Sequence, residues 1–457
     1  MMKYLKTNKC TFILLALLLL FPLTITITKL IINPEIAGYE SYYHLLISSR
    51  EGEISPSPYF LNPYDLILSI HPRTMSLFIP LILTILSGFL LHNLLKKFEI
   101  PTNLRNLSIL FLLLSPFFIA LAIFSSPLSL ILFLNLLGIT LLLNNKRNPS
   151  IIIFLLIPFF GPIHVFFTLM ILGIIYLWKI RNTLLHMLSI LILSILYYAI
   201  LILTKKIPDM SNLSITFFTT FFTELGSYTG FTILNLILVA LGLLFLWKRK
   251  RTFYLLHVLI AVGMFISIYF EETALYLLIP FQLVAAYAVL KIDEMTWDLK
   301  KLKKLSLLLI IIALVFSQLA YSVRLVNTEP IESSIKGLEW LEDEDPGNVL
   351  SHHTRGYWIE AIAKKTPILE GRRLYDDKAT IEKANTIFYT RNLKKATELL
   401  QNLSVEYIFI DRAMKEGLVW KDNDQGLLFL FRNNETFKRL YKTRDVEIWY
   451  IKDGITK

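Results

Sequence analysis

The stretch NPEIAGYESYYHLLISSRE (33–51) follows directly on the first long apolar run of the chain. It sets a carboxylate, Glu40, four residues ahead of an imidazole, His44, with Tyr42 and Tyr43 between them. Residues four apart share a helix face, so the spacing predicts an acid and an imidazole side by side. Ionisable groups at a membrane interface are expensive and usually functional, which makes Glu40 the leading candidate for chemistry. Ile36, Tyr39, Tyr43, Leu46 and Ile47 recur at helical spacing, which predicts a short amphipathic helix over 36–47 lying along a membrane surface. The alternative is a solvated interfacial helix whose acid does no chemistry. No Ser-His-Asp arrangement, HExxH or phosphate-binding glycine loop occurs, so hydrolase and nucleotide-driven readings have no support.

The elements that must position these residues are read from composition. The chain has 457 residues, 55% of them hydrophobic and 18% charged, with a mean hydropathy of +0.58. Soluble domains carry about 25% charged residues. The deficit is confined to residues 1–325, where apolar runs alternate with short polar breaks, whereas 326–457 has an ordinary soluble composition. The expectation is a polytopic α-helical membrane domain (1–325) followed by a small α/β domain (326–457). The net charge of +11 divides unevenly: residues 326–457 hold 21 Lys+Arg and 22 Asp+Glu, so the basic excess lies in the membrane half. That is the pattern of a topology signal and excludes a nucleic-acid patch. The single cysteine, Cys10, excludes an internal disulfide and a cysteine zinc site.

Spans are expected near 10–31, 75–95, 107–125, 127–144, 184–204, 230–247, 252–270, 273–290 and 305–325, each close to the roughly 20 apolar residues a crossing needs. The first ends without a small-residue cleavage pattern and is read as an uncleaved span. Residues 150–178 are broken by PFFGP, and proline inside a helix costs about 3 kcal/mol, so a break is expected at Pro158–Pro162. With that break the chain makes about eleven crossings, and most Lys and Arg of the membrane half fall on one side, including KRKR (248–251) and KKLKK (300–304). The N-terminus is then cytoplasmic and Glu40 and the tail domain are extracytoplasmic, in a multi-pass protein of the cell membrane. In the tail, NVLSH, VEYIFID, LLFLF and VEIWYI are expected as short strands, and GYWIEAIAKK and TIEKANTIFYTRNLKKATELLQNL as helices.

An acidic helix after the first span, many spans and a C-terminal α/β domain resemble the GT-C glycosyltransferase superfamily, most nearly the catalytic subunits of archaeal and bacterial oligosaccharyltransferases. Those carry D-x-Y/F-Y/F-x-x-R after the first span. ESYYHLL has Glu40 at the acid position and Leu46 in place of the arginine, with Arg50 one turn later. FFTELGSYTG (221–230) is similar to the family's mobile loop with its T-I-x-E glutamate, which maps to Glu224. NVLSHHTRGYWI (348–359) is similar to the segment bearing S-W-W-D-Y-G-Y-W-I: Ser351, Gly356, Tyr357, Trp358 and Ile359 match, while His352, His353, Thr354 and Arg355 replace Trp, Trp, Asp and Tyr. Two positions depart further. FSSPLSL (124–130) lacks the acid of the family's second motif, and FEETALYLL offers Glu271 and Glu272 where an arginine is expected.

The resemblance implies a membrane glycosyltransferase that moves a sugar or glycan from a polyprenyl-phosphate-type carrier, whose tail stays in membrane lipid, to an external glycan, lipid or protein acceptor. Glu40 is the expected catalytic base; His44, Arg50, Glu224, His353 and Arg355 are expected to bind substrate. A divalent Mg or Mn ion is the cofactor the family implies, and the missing second acid removes one of its oxygen ligands. The alternative is a catalytically inactive relative acting as a scaffold or partner subunit in envelope glycan assembly.

Overall fold

The structure is a computed structural model that describes residues 8–49, 62–177, 183–204, 221–370, 378–422 and 424–452. The chain divides into two compact units. One comprises Met1–Pro34, Ser57–Ile207 and Ser214–Asn327; the other comprises Glu35–Pro56, Pro208–Leu213 and Thr328–Lys457.

The first unit is helical. Among the described residues six helices are long and apolar enough to cross a membrane: Lys9–Ile32, Pro72–Lys97, Thr183–Leu203, Lys250–Ser267, Glu271–Glu294 and Lys300–Val326. The pair Thr102–Leu113 and Pro116–Ile123 is bent by 57° and makes a seventh if counted as one span. Its break has a simple cause: Pro116 has no N–H to continue the helix, and Ser115 before it is extended. The stretch 147–177 breaks at Gly161, whose φ of +135° suits glycine, into Arg147–Phe154, a 3₁₀ turn Ile157–Phe160 and Pro162–Leu177. Among the described residues four apolar helices are shorter than an ordinary span, including Pro127–Leu143 and Ile233–Trp247.

The helix within Glu271–Glu294 is the core of this unit, 83% buried over its apolar window. Ile233–Trp247 packs on it through Gly242, where an added Cβ would lie 2.3 Å from the Val284 carbonyl oxygen. Asn235 donates to Gln282 Oε1 at 3.0 Å across the same contact, the close approach and polar bond typical of helix pairs in lipid. By contrast Phe12, Ile31, Leu203 and Phe316 are exposed by 72–83%. Apolar side chains in such positions on long helices face hydrocarbon, which makes this a membrane protein.

The second unit holds a five-stranded sheet with order β2-β1-β3-β5-β4. The strands are β1 (Asn348–Leu350), β2 (Thr366–Pro367), β3 (Val405–Asp411), β4 (Phe437–Lys442) and β5 (Val446–Ile451). β1 is parallel to β2 and β3, whereas β5 runs antiparallel to β3 and β4. Helices Lys378–Tyr389 and Leu393–Asn402 close one core around Ile387, Leu400, Ile408, Trp420 and Phe437. The run LLFLF is a short helix, Gly426–Leu430, not a strand. Gly426, at φ +47°, turns the chain into it, against the Phe388 carbonyl.

Candidate functional site

After the first long helix the backbone turns at Gly38, φ +79°, whose N–H donates to the Glu329 carbonyl at 2.8 Å. The helix Tyr39–Ser49 starts there, with Glu40 in its first turn, where a carboxylate is favoured by the unpaired N–H groups. Tyr42 and Tyr43 are 2% and 3% exposed, and they seat this helix on Gly356–Ala363. Tyr42 meets Trp358 edge-on with ring centres 6.5 Å apart, and Tyr43 meets Tyr357 at 5.2 Å. Such pairs contribute about 0.5–1.5 kcal/mol each beyond burial. Tyr42 also donates its hydroxyl proton to Glu35 Oε2 at 3.3 Å. Glu40 itself is half-buried. The aromatic contacts explain why residues 35–49 group with the tail sheet and not with the helical unit.

Gly356–Ala363 is fixed in turn by Arg355. Its Nε donates to Asp411 Oδ2 at 2.6 Å, and its Nη2 lies 2.7 Å from Glu329 Oε2. The guanidinium covers the Trp358 ring at 4.5 Å. Asp411 ends β3 and accepts the Met414 N–H at 2.9 Å. Arg355 and Asp411 side chains are 4% and 3% exposed, Glu329 38%. Burial pushes the Glu329 carboxyl above its ordinary value, against the opposing pull of Arg355. Gly356 is required by space: a Cβ would lie 2.2 Å from the Leu369 carbonyl oxygen.

The expected site residues are therefore placed as follows. Glu40, His44, His353 and Arg355 lie in the second unit, and Glu224 in the first; Arg50 lies outside the described residues. His44 is 3% exposed and meets Tyr43 edge-on at 5.1 Å, so it is buried with the aromatic seat and not displayed beside Glu40 on an open face. Arg355 is turned inward to two carboxylates. His353 stands in the 3₁₀ turn His353–Arg355 with its ring 4.0 Å from that of His352, and both line a cavity of about 120 Å³ with Phe388, Tyr389 and Val419. Glu224 accepts the Ile233 N–H at 3.1 Å, a cap at the start of Ile233–Trp247. Its turn is clamped by Arg324, which donates to the carbonyls of Thr223 (2.7 Å) and Ser227.

Sequence reasoning missed Asp411, Glu329 and Arg324. Asp411 had a signal: an acid ending the buried strand VEYIFID has to be paired. In the first unit His164, 2% exposed, joins Glu272 Oε2 at 3.2 Å to the Tyr276 hydroxyl at 3.1 Å. In the stretch that lacks the second acid, Ser125 is buried and shares a hydrogen bond of 2.8 Å with the Tyr64 hydroxyl. Among the described residues no group of three or more His, Cys, Asp or Glu side chains converges in a way that would hold a metal ion.

No protein-family model and no curated protein matches the chain. Solved structures do. The apo oligosaccharyltransferase of Archaeoglobus fulgidus aligns with a TM-score of 0.56 at 13% identity, over 96% of this chain and 74% of that one. The AglB oligosaccharyltransferase of the same organism, in complex with an inhibitory peptide and a dolichol-phosphate, aligns at 0.53 and 12%, over 89% and 70%. The arabinofuranosyltransferase AftD from Mycobacteria aligns at 0.56 and 12%, over 96% of this chain and 40% of its own length. This chain shares its fold with these glycosyltransferases. At these identities the fold is what is shared.

Proposed function

We propose that the protein is a GT-C-type glycosyltransferase that moves a sugar or glycan from a polyprenyl-phosphate-type carrier to an acceptor on the extracytoplasmic face. One observation carries this reading: on a fold shared with two kinds of glycosyltransferase, Glu40 occupies the first turn of the helix that follows the first long apolar helix. The dolichol-phosphate of the Archaeoglobus complex supports the carrier class. In the proposed reaction Glu40 takes the proton of the acceptor hydroxyl as its oxygen attacks the anomeric carbon. The bond from that carbon to the carrier phosphate breaks with inversion, the phosphate leaves with the bonding pair, and Glu40 later releases its proton. Arg50 is the cation we assign to the leaving phosphate. No step is routed through a metal, and Arg355 positions the helix behind Glu40 without touching substrate.

The test is sugar transfer in vesicles that contain the organism's own polyprenyl lipids. Glu40→Gln keeps the shape and removes the base, so the rate should fall about 10²–10⁴-fold with folding unchanged. Transfer that survives in Glu40→Gln would sink the assignment. A second reading, an inactive partner subunit in envelope glycan assembly, is favoured by Ser125, a buried hydroxyl in the stretch where the second acid of the family is expected. It requires that wild type and Glu40→Gln both fail to transfer.

A further inference from the structure

One cleft of the second unit has no part of Glu40 in its lining. It has a volume of about 740 Å³ and is lined by Lys415, Arg432, Lys438, Arg439 and Lys452, with Glu447 as its one acid. Residues 326–457 carry one more acid than base, so this groove gathers positive charge that the domain as a whole lacks. Glu447 is matched by Lys415 at 2.7 Å. Burial pushes the Glu447 carboxyl up, but the Lys415 contact, the Trp449 N–H bond and the charge of Arg439 together hold the group below its ordinary value. Arg432 pairs with Asp424. Among the described residues no carboxylate bridges Lys438, Arg439 or Lys452; Lys452 donates to the Asn434 carbonyl at 2.6 Å. The wall is layered: the Arg439 guanidinium lies 5.3 Å from the Trp449 ring, which stacks on Phe431 at 4.3 Å and 3°.

Charge on an edge strand also guards against aggregation, and Lys438 and Arg439 sit on the edge strand β4. That role does not account for Lys415, Arg432 and Lys452, which lie outside β4 and line the same groove. A concave basic groove with an aromatic wall suits an extended anionic chain with apolar ring faces. We propose that this groove binds an acidic saccharide, a run of carboxylate-bearing sugars. The choice of a saccharide over other anions rests on the glycosyltransferase reading above; the groove would hold the acidic part of a glycan chain that the enzyme transfers or extends.

The experiment uses the full chain in nanodiscs of zwitterionic lipid, titrated calorimetrically with hexagalacturonate, with maltohexaose as neutral control. The acid should bind at least about tenfold tighter and weaken as salt rises. Lys438→Glu with Arg439→Glu should weaken binding about tenfold or more, Lys438→Arg with Arg439→Lys should restore it, and Lys452→Glu should weaken it from outside β4. Equal binding of acid and neutral probes, or affinity unmoved by Lys452→Glu and the double variant, would overturn the proposal. So would equally tight binding of a single-stranded oligonucleotide, or a preference for phosphatidylglycerol in the disc over the saccharide. Glu40→Gln should bind hexagalacturonate like wild type. Binding without transfer would therefore remove the enzyme and keep the groove, and transfer without binding would do the reverse.

Discussion

Arg355→Met is the perturbation that reaches furthest into this architecture. Methionine keeps much of the apolar stem and removes the charge. Asp411, with its side chain 3% exposed, would keep the Met414 N–H but lose its cation at 2.6 Å. Breaking a buried pair by removing one partner costs about 3–5 kcal/mol. Loss of the guanidinium over Trp358, at 4.5 Å, adds about 0.5–2 kcal/mol. The Glu329 contact is partly exposed and counts for about 1 kcal/mol or less. A total near 5 kcal/mol is a large share of the roughly 5–15 kcal/mol that holds a domain together. The apparent unfolding midpoint in detergent, followed by tryptophan fluorescence, should drop on the order of 10 °C. Adding Asp411→Leu to Arg355→Met should recover part of the loss, because it removes the stranded charge. Transfer should fall through kcat as the seat of the Glu40 helix loosens. A midpoint within about 1 °C of wild type, with only KM raised, would refute this reasoning and return Arg355 to the substrate.

Two further outcomes follow from the same cluster. Gly356→Ala places a Cβ 2.2 Å from the Leu369 carbonyl oxygen, a backbone clash that no rotamer relieves, so the variant should lose about 2 kcal/mol or more; a midpoint equal to wild type would show that the two backbones separate freely. For Glu329, burial raises the carboxyl above the ordinary 4.5. The folded state then holds the proton more tightly than the unfolded chain, so this group's stabilisation is complete below that ordinary value and is lost as pH rises through the folded value. Wild type should therefore lose ground against Glu329→Gln between pH 4.5 and 7 in thermal unfolding. The opposite slope would mean that Arg355 outweighs burial.

What could be read in advance was whatever a single segment encodes. The long helices fall close to the expected spans, Pro72–Lys97 for 75–95 and Thr183–Leu203 for 184–204, because an apolar run of that length has one stable backbone in lipid. The break at Gly161 was legible from PFFGP, and VEYIFID and VEIWYI were legible as strands from their apolar, β-branched and aromatic content. FKRLYK was not. As the edge strand β4 it buries one residue, Phe437, and exposes a row of cations, so its sequence lacks the alternation of a half-buried strand. LLFLF fails for the converse reason: a short apolar run carries no period, and the turn at Gly426 decides its geometry. The site shows the same division. Glu40 at the head of a short helix is local, and its spacing to Tyr42 and Tyr43 announces a face to be covered. What covers it is not local, since Arg355 and Asp411 stand 56 residues apart and neither position names its partner. The i,i+4 pairing of Glu40 with His44 was sound helix geometry, yet it omitted the tail sheet. Once Tyr43 is driven against Tyr357, the same turn carries His44 into the buried seat, whereas Glu40, in the first turn, stays half-buried.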